Sequence, residues 1–148
     1  RECGRASVWG RGDERDGELN AGRTNRFALP AVTLAKTARA TGGVAGRAAL
    51  DTLLVVTPAQ HMGSVLEVMP SHPRDLVLCS KGIEAGSGRL MNHVAKAAAP
   101  GSAVAVLSGP TFAHEVAAGL PTAVTLACAD GEAQWDHSFF QFSAPLAP

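Results

Sequence analysis

No stretch of this sequence approaches the roughly 18 consecutive apolar residues of a membrane span, and its N-terminal residues hold no apolar run of the signal-peptide type. Both absences point to a cytoplasmic protein. An excess of one charge is also missing, because 13 Lys and Arg balance 13 Asp and Glu. Without a global field to hold a polyanion, nucleic acid is not expected as a partner. Cysteine is scarce: Cys3, Cys79 and Cys128 stand far apart, and they form neither a CxxC pair nor a zinc-spaced cluster with the five histidines. They read as free thiols, with no metal site. No internal repeat appears, so a solenoid is not expected.

What is present fits a soluble globular chain. The 148 residues are 46% hydrophobic and 18% charged, and the mean hydropathy is +0.09. That is the length of one ordinary domain, enough to bury about two thirds of the surface exposed by the unfolded chain. In the first thirty residues Arg1, Arg5, Arg11, Arg15, Arg23 and Arg26 alternate with Glu2, Asp13, Glu14, Asp16 and Glu18 around one short apolar run, Ala6 to Trp9. The run is a candidate strand, and charges so interleaved usually mark a solvated surface. A second short strand is expected near Arg39 to Thr41.

Regularity begins at Leu53. Residues Leu53 to Thr57 form an apolar run of strand length stopped by Pro58, expected to be buried on both faces. Met62, Val65, Leu66 and Met69 then fall at helical spacing before Pro70. Leu76 to Cys79 reads as another buried strand. Ser87 is the expected N-cap of a helix through Leu90, Met91, Val94 and Ala98 that Pro100-Gly101 ends. Ala103 to Leu107 is a strand, Thr111 to Ala118 a short helix closed by Gly119, and Ala123 to Ala127 a further strand. Strands and helices alternating at this pitch imply parallel βαβ units in an open α/β sheet. Beyond Asp130 the pattern fades into an aromatic cluster, Trp135, Phe139, Phe140 and Phe142, suited either to a distorted last helix or to a further partner.

In open α/β sheets ligands bind outside the carboxyl ends of the strands. The segments there are Thr57-Pro58-Ala59, Ser80-Lys81-Gly82 and Ser108-Gly109-Pro110-Thr111. Lys81 follows a buried strand directly, where an ammonium can reach a phosphate, and Gly82 permits a tight turn. Ser108 to Thr111 leads into a helix, presenting backbone N–H groups and hydroxyls to an anion or serving only as an N-cap and turn. By position alone Lys81 is either a ligand group or a solvated charge, and Glu115 reads as a solvent-facing helix residue.

The motifs themselves go further. Ser80-Lys81-Gly82-Ile83-Glu84 with Gly88-Arg89-Leu90-Met91, and then the unbroken run from Leu107 to Val124, resemble the bacterial soluble glycerol-3-phosphate dehydrogenase family very closely. Val8-Trp9-Gly10-Arg11 is similar to the family's second strand, Glu18-Leu19-Asn20 and Leu29-Pro30 to the helix and loop after it, and Val55 to Gln60 to its fourth strand and turn. The resemblance runs from about Ala6 to Ala129.

It implies an NAD- or NADP-dependent oxidoreductase that moves a hydride between the nicotinamide and dihydroxyacetone phosphate or glycerol 3-phosphate, in glycerophospholipid synthesis, with a homodimeric full-length form. It also implies that Lys81 is shared by substrate and cofactor, that Gly109 and Thr111 contact substrate, and that Arg11 and Ala113 contact cofactor. His61 takes a turn position where relatives often carry an aromatic residue near the nicotinamide. The expected fold is α/β, a partial Rossmann-type doubly wound parallel sheet lacking the family's first strand and glycine loop. Residues 1–148 then form an incomplete nucleotide-binding domain, best ordered over 53–127, and the helical substrate domain with its proton-transferring lysine lies outside the chain. On that expectation no catalytic residue is assigned here, and residues 1–148 alone show no turnover. The alternatives are a non-catalytic module that binds a nucleotide or phosphorylated metabolite, and a related reductase with another substrate; the Ser-Gly-Pro-Thr-Phe-Ala run argues against the latter.

Overall fold

The computed structural model describes residues 6–10, 16–30, 32–42, 51–69 and 75–128. The described residues divide into two compact units, one within Arg1–Val44 and Thr111–Thr122 and the other within Ala45–Pro110 and Ala123–Pro148. In the first unit, strand β1 (Ala6–Val8) pairs in parallel with β2 (Ala38–Ala40). A π-helical segment, Glu18–Gly22, lies between them in the chain. Its Asn20 side chain works as a substitute ladder partner: Nδ2 donates to the Ala40 carbonyl and Oδ1 accepts the Ala40 N–H, both at 2.9 Å. An amide carries a donor and an acceptor in one plane, so one side chain satisfies both backbone groups. This unit also holds the short helix α3 (Ala113–Ala117).

The second unit contains a four-stranded sheet in the order β3 (Thr52–Val55), β4 (Asp75–Leu78), β5 (Ala103–Ser108), β6 (Thr125–Cys128). The first three strands run parallel, joined by helices as the alternation requires. A turn of 3-10 helix, Ala59–His61, leads into α1 (Met62–Glu67), and α2 (Met91–Ala98) connects β4 to β5. Met62 and Leu66 of α1, Met91, Val94 and Ala95 of α2, and Leu76, Leu78, Val55 and Val104 of the sheet make one core cluster. On β4 the period of two puts Leu76 and Leu78 in that cluster and Val77 on the other face, yet all three are fully buried. Gly63 lets α1 approach α2, since a Cβ there would lie 3.2 Å from Val94 Cγ1.

Four expectations are corrected. The Leu53 to Thr57 run is not buried on both faces: Val55 sits in the core cluster at 4% exposure, while Leu54 and Val56, turned to the opposite face by the period of two, are 41% and 73% exposed, so that face is not covered among the described residues. Ser87 is not the cap of α2, whose N-cap position is Leu90 without a side-chain hydrogen bond. Its hydroxyl instead donates to Glu84 Oε2, which holds it in the preceding turn. Helix α3 starts at Ala113 rather than Thr111, and Glu115 faces back to accept the Phe112 N–H at 3.3 Å, one half of a capping box. Finally, β6 pairs with β5 antiparallel, so the parallel pattern stops at β5. An antiparallel neighbour can be reached by doubling back, without the helical crossover that a parallel one requires. The aromatic cluster beyond Asp130 lies outside the described residues.

Among the described residues no helix is long and apolar enough to cross a membrane, and no group of three His, Cys, Asp or Glu side chains is placed to hold a metal ion. Among the described residues Cys79 and Cys128 form no disulfide.

Candidate active-site edge

Because β3, β4 and β5 are parallel, their carboxyl ends fall on one edge of the sheet, where Thr57, Ser80-Lys81 and Ser108-Gly109 follow in turn. The β3 and β4 ends are tied together. The Cys79 N–H donates to the Val55 carbonyl at 2.9 Å, extending the ladder one step. Ser80, nearly buried, donates its hydroxyl to the Thr57 carbonyl and lies 3.4 Å from the Val55 carbonyl. The Ser80 hydroxyl is therefore a structural tie. Sequence alone gave no signal of this, because Ser after a strand suits either role.

Two groups at this edge are left over. Thr57 Oγ1 is buried and has no hydrogen-bond partner among the described residues, although such an atom normally finds one. Lys81 is exposed and makes no hydrogen bond or ion pair among them. Its charge is felt by the neighbouring Cys79: burial pushes that thiol above its ordinary value, and the Lys81 ammonium partly opposes the rise.

The backbone after Lys81 is held from both sides. Gly82 adopts φ +140, a conformation that side chains disfavour, and a Cβ there would stand 3.3 Å from the Ala59 Cβ. Gln60 grips the next three residues, Nε2 donating to the Ile83 carbonyl at 2.9 Å and Oε1 accepting the Ala85 N–H at 2.7 Å. On the far side the chain turns back on itself: the Glu84 N–H donates to the Arg89 carbonyl at 2.9 Å, and Ile83 bridges Leu90. Arg89 pairs with Glu84 Oε2 at 2.9 Å. The Ser87 hydroxyl first, and Arg89 second, hold the Glu84 carboxyl below the usual carboxylate range.

Gly109 has a packing reason to be glycine. A Cβ at this position would lie 2.3 Å from the Ala123 carbonyl oxygen and 3.0 Å from Val124 Cα. The chain entering β6 passes too close for any side chain.

Of the residues singled out in the sequence, Lys81 and Gly109 stand at the ends of neighbouring strands within one unit. Thr111 and Ala113 belong to the other, just before and at the start of α3, where Phe112 and His114 stack with ring centroids 5.8 Å apart. Arg11 lies outside the described residues. His61 is exposed at the end of the 3-10 turn. Gln60, the Thr57 hydroxyl and the capping role of Glu115 were missed. Glu115 could have been found from its place three residues after the residue that opens the helix.

Residues 1–134 match the family model described as NAD-dependent glycerol-3-phosphate dehydrogenase N-terminus. Over 129 residues the chain is 61% identical to a glycerol-3-phosphate dehydrogenase (NAD(P)+) of Erythrobacter litoralis, which covers 87% of the chain and 39% of the relative. The corresponding protein of Novosphingobium aromaticivorans is 58% identical over 128 residues, covering 86% of the chain and 39% of that relative. The chain thus spans about two fifths of the length of these relatives. A crystal structure of the glycerol-3-phosphate dehydrogenase of Coxiella burnetii superposes with a TM-score of 0.75 at 29% identity, covering 84% of the chain and 39% of that structure.

Proposed function

The chain belongs to the NAD-dependent glycerol-3-phosphate dehydrogenase family through its N-terminal part, and on that premise we propose that it supplies the nucleotide-binding portion of an enzyme interconverting dihydroxyacetone phosphate and glycerol 3-phosphate. The observation that carries the reading is Lys81: an ammonium without hydrogen bond or ion pair among the described residues, on a braced backbone, at the carboxyl edge of a parallel sheet. Such an edge is where open α/β sheets bind ligands.

When bound, the nicotinamide cofactor supplies or accepts the hydride. Lys81 holds phosphate or developing negative charge as a fixed cation and does not move the proton. Gly109 and Thr111 meet the substrate, Ala113 meets the cofactor, and Arg11 pairs with the 2′-phosphate of NADP, where an acidic residue would favour the free ribose hydroxyls of NAD. Cytoplasmic location and a homodimeric full-length form belong to the same reading and rest on the family resemblance. No observation favours a non-catalytic module over it.

The test is to graft this chain in place of the matched segment of the Erythrobacter litoralis relative and to follow nicotinamide absorbance with dihydroxyacetone phosphate and NADPH or NADH. Oxidation of the cofactor is expected. A folded graft that leaves both cofactors unoxidised would refute the proposal. In an active graft, Arg11→Ala should lower the preference for NADPH over NADH, and an unchanged ratio would remove Arg11 from the 2′-phosphate.

A further inference from the structure

We propose that Gln60 is the positioning residue for Lys81, acting only through the backbone that carries it. The proposal rests on the reading that Lys81 binds the phosphate of the ligand. A lysine on a free strand end has four rotatable bonds and a mobile backbone beneath them, so its ammonium would sample a wide volume. Here the backbone is fixed. One amide side chain satisfies an acceptor and a donor two residues apart, the Ile83 carbonyl at 2.9 Å and the Ala85 N–H at 2.7 Å. Those two bonds span residues 23 and 25 positions away in sequence and join the 3-10 turn after β3 to the segment after β4. Ala59, next to Gln60, abuts Gly82 on the same side. The Glu84, Ser87 and Arg89 cluster closes the other end of the loop. Lys81 and Gly82 are thus held between the β4 ladder and the Gln60 grip.

Both Gln60 contacts are solvent-exposed, so their loss should cost little global stability, while a displaced backbone would misplace the ammonium. Preorganisation of this kind acts on binding and not on the chemistry of the group itself. Gln60 does not touch the ligand in this account. Its effect must therefore vanish when Lys81 is gone.

The test is a double-mutant cycle on the chain grafted into the Erythrobacter litoralis relative, with glycerol 3-phosphate as the probe and amide chemical shifts of residues 80–85 as the readout. Gln60→Met keeps the length of the side chain and removes both hydrogen bonds; Lys81→Met removes the charge. Gln60→Met is expected to weaken binding by about 3- to 10-fold, the scale of a modest loss of preorganisation, to speed exchange of the Ala85 N–H, and to leave the unfolding midpoint nearly unchanged. In the Lys81→Met background the same change should have no further effect on binding. Equal losses in both backgrounds, or an unchanged affinity in the single variant, would overturn the positioning role while leaving Lys81 as the phosphate ligand. If Lys81→Met binds as tightly as the parent, or the parent does not bind at all, the reading of Lys81 fails and the role of Gln60 falls with it.

Discussion

At the residue scale the same side chains are constrained by packing and by chemistry, and the structure separates the two for Gly109. Its Cβ position is taken by the Ala123 carbonyl. Gly109→Ala should therefore destabilise the fold by about 1–3 kcal/mol or more, the cost of forcing atoms into a filled space, as read by urea unfolding of the chain without ligand. If stability were unchanged, the close approach of β6 would be wrong and a ligand contact would be the better reason for the glycine. Glu84 offers a test in pH. Its carboxyl is held low first by the Ser87 hydroxyl and then by Arg89. A carboxylate depressed on folding adds stability above its unfolded pKa and loses it as pH falls through the lower folded value. The loop closure should then persist at neutral pH and loosen only in acid, below the ordinary carboxylate range. Ser87→Ala should raise the Glu84 pKa in a carboxyl NMR titration; no movement would contradict the assigned cause.

At the scale of elements, what the sequence revealed depended on how local the deciding forces were. Runs such as Leu76 to Leu78 and the helical spacing of Met62 and Leu66 reveal strand and helix because burial writes its period into the residues. Leu66 is fully buried in the core cluster, so Leu66→Ala should cost about 2–5 kcal/mol, again checked by urea unfolding; a loss under a tenth of that would mean that α1 does not pack as described. The exposure of Leu54 and Val56, by contrast, is set by what covers the second face of β3, and a strand's own residues do not record that. The direction of β6 is equally silent, since its residues would suit either sense of pairing. Ser87 misled because a cap and a turn call for the same short hydroxyl.

At the scale of the whole molecule, the candidate site was legible as a set of motifs and not as a geometry. Ser80-Lys81-Gly82 and Ser108-Gly109-Pro110 could be placed at strand ends from the alternation alone, and their identity led to the family that residues 1–134 match. What the order of residues could not say is that Ser80 turns inward to tie two strands, or that Gln60, more than twenty positions upstream, braces the loop bearing Lys81. Those are long-range hydrogen bonds, fixed only once the sheet has brought the segments together. The central claim, that Lys81 supplies a fixed charge to a phosphorylated substrate, is tested most directly by Lys81→Ala in the catalytically competent graft, comparing kcat/KM for dihydroxyacetone phosphate with that of the parent. The account predicts a fall of about a hundredfold or more, the scale of losing one preorganised electrostatic contact, and a fall of less than about tenfold would contradict it.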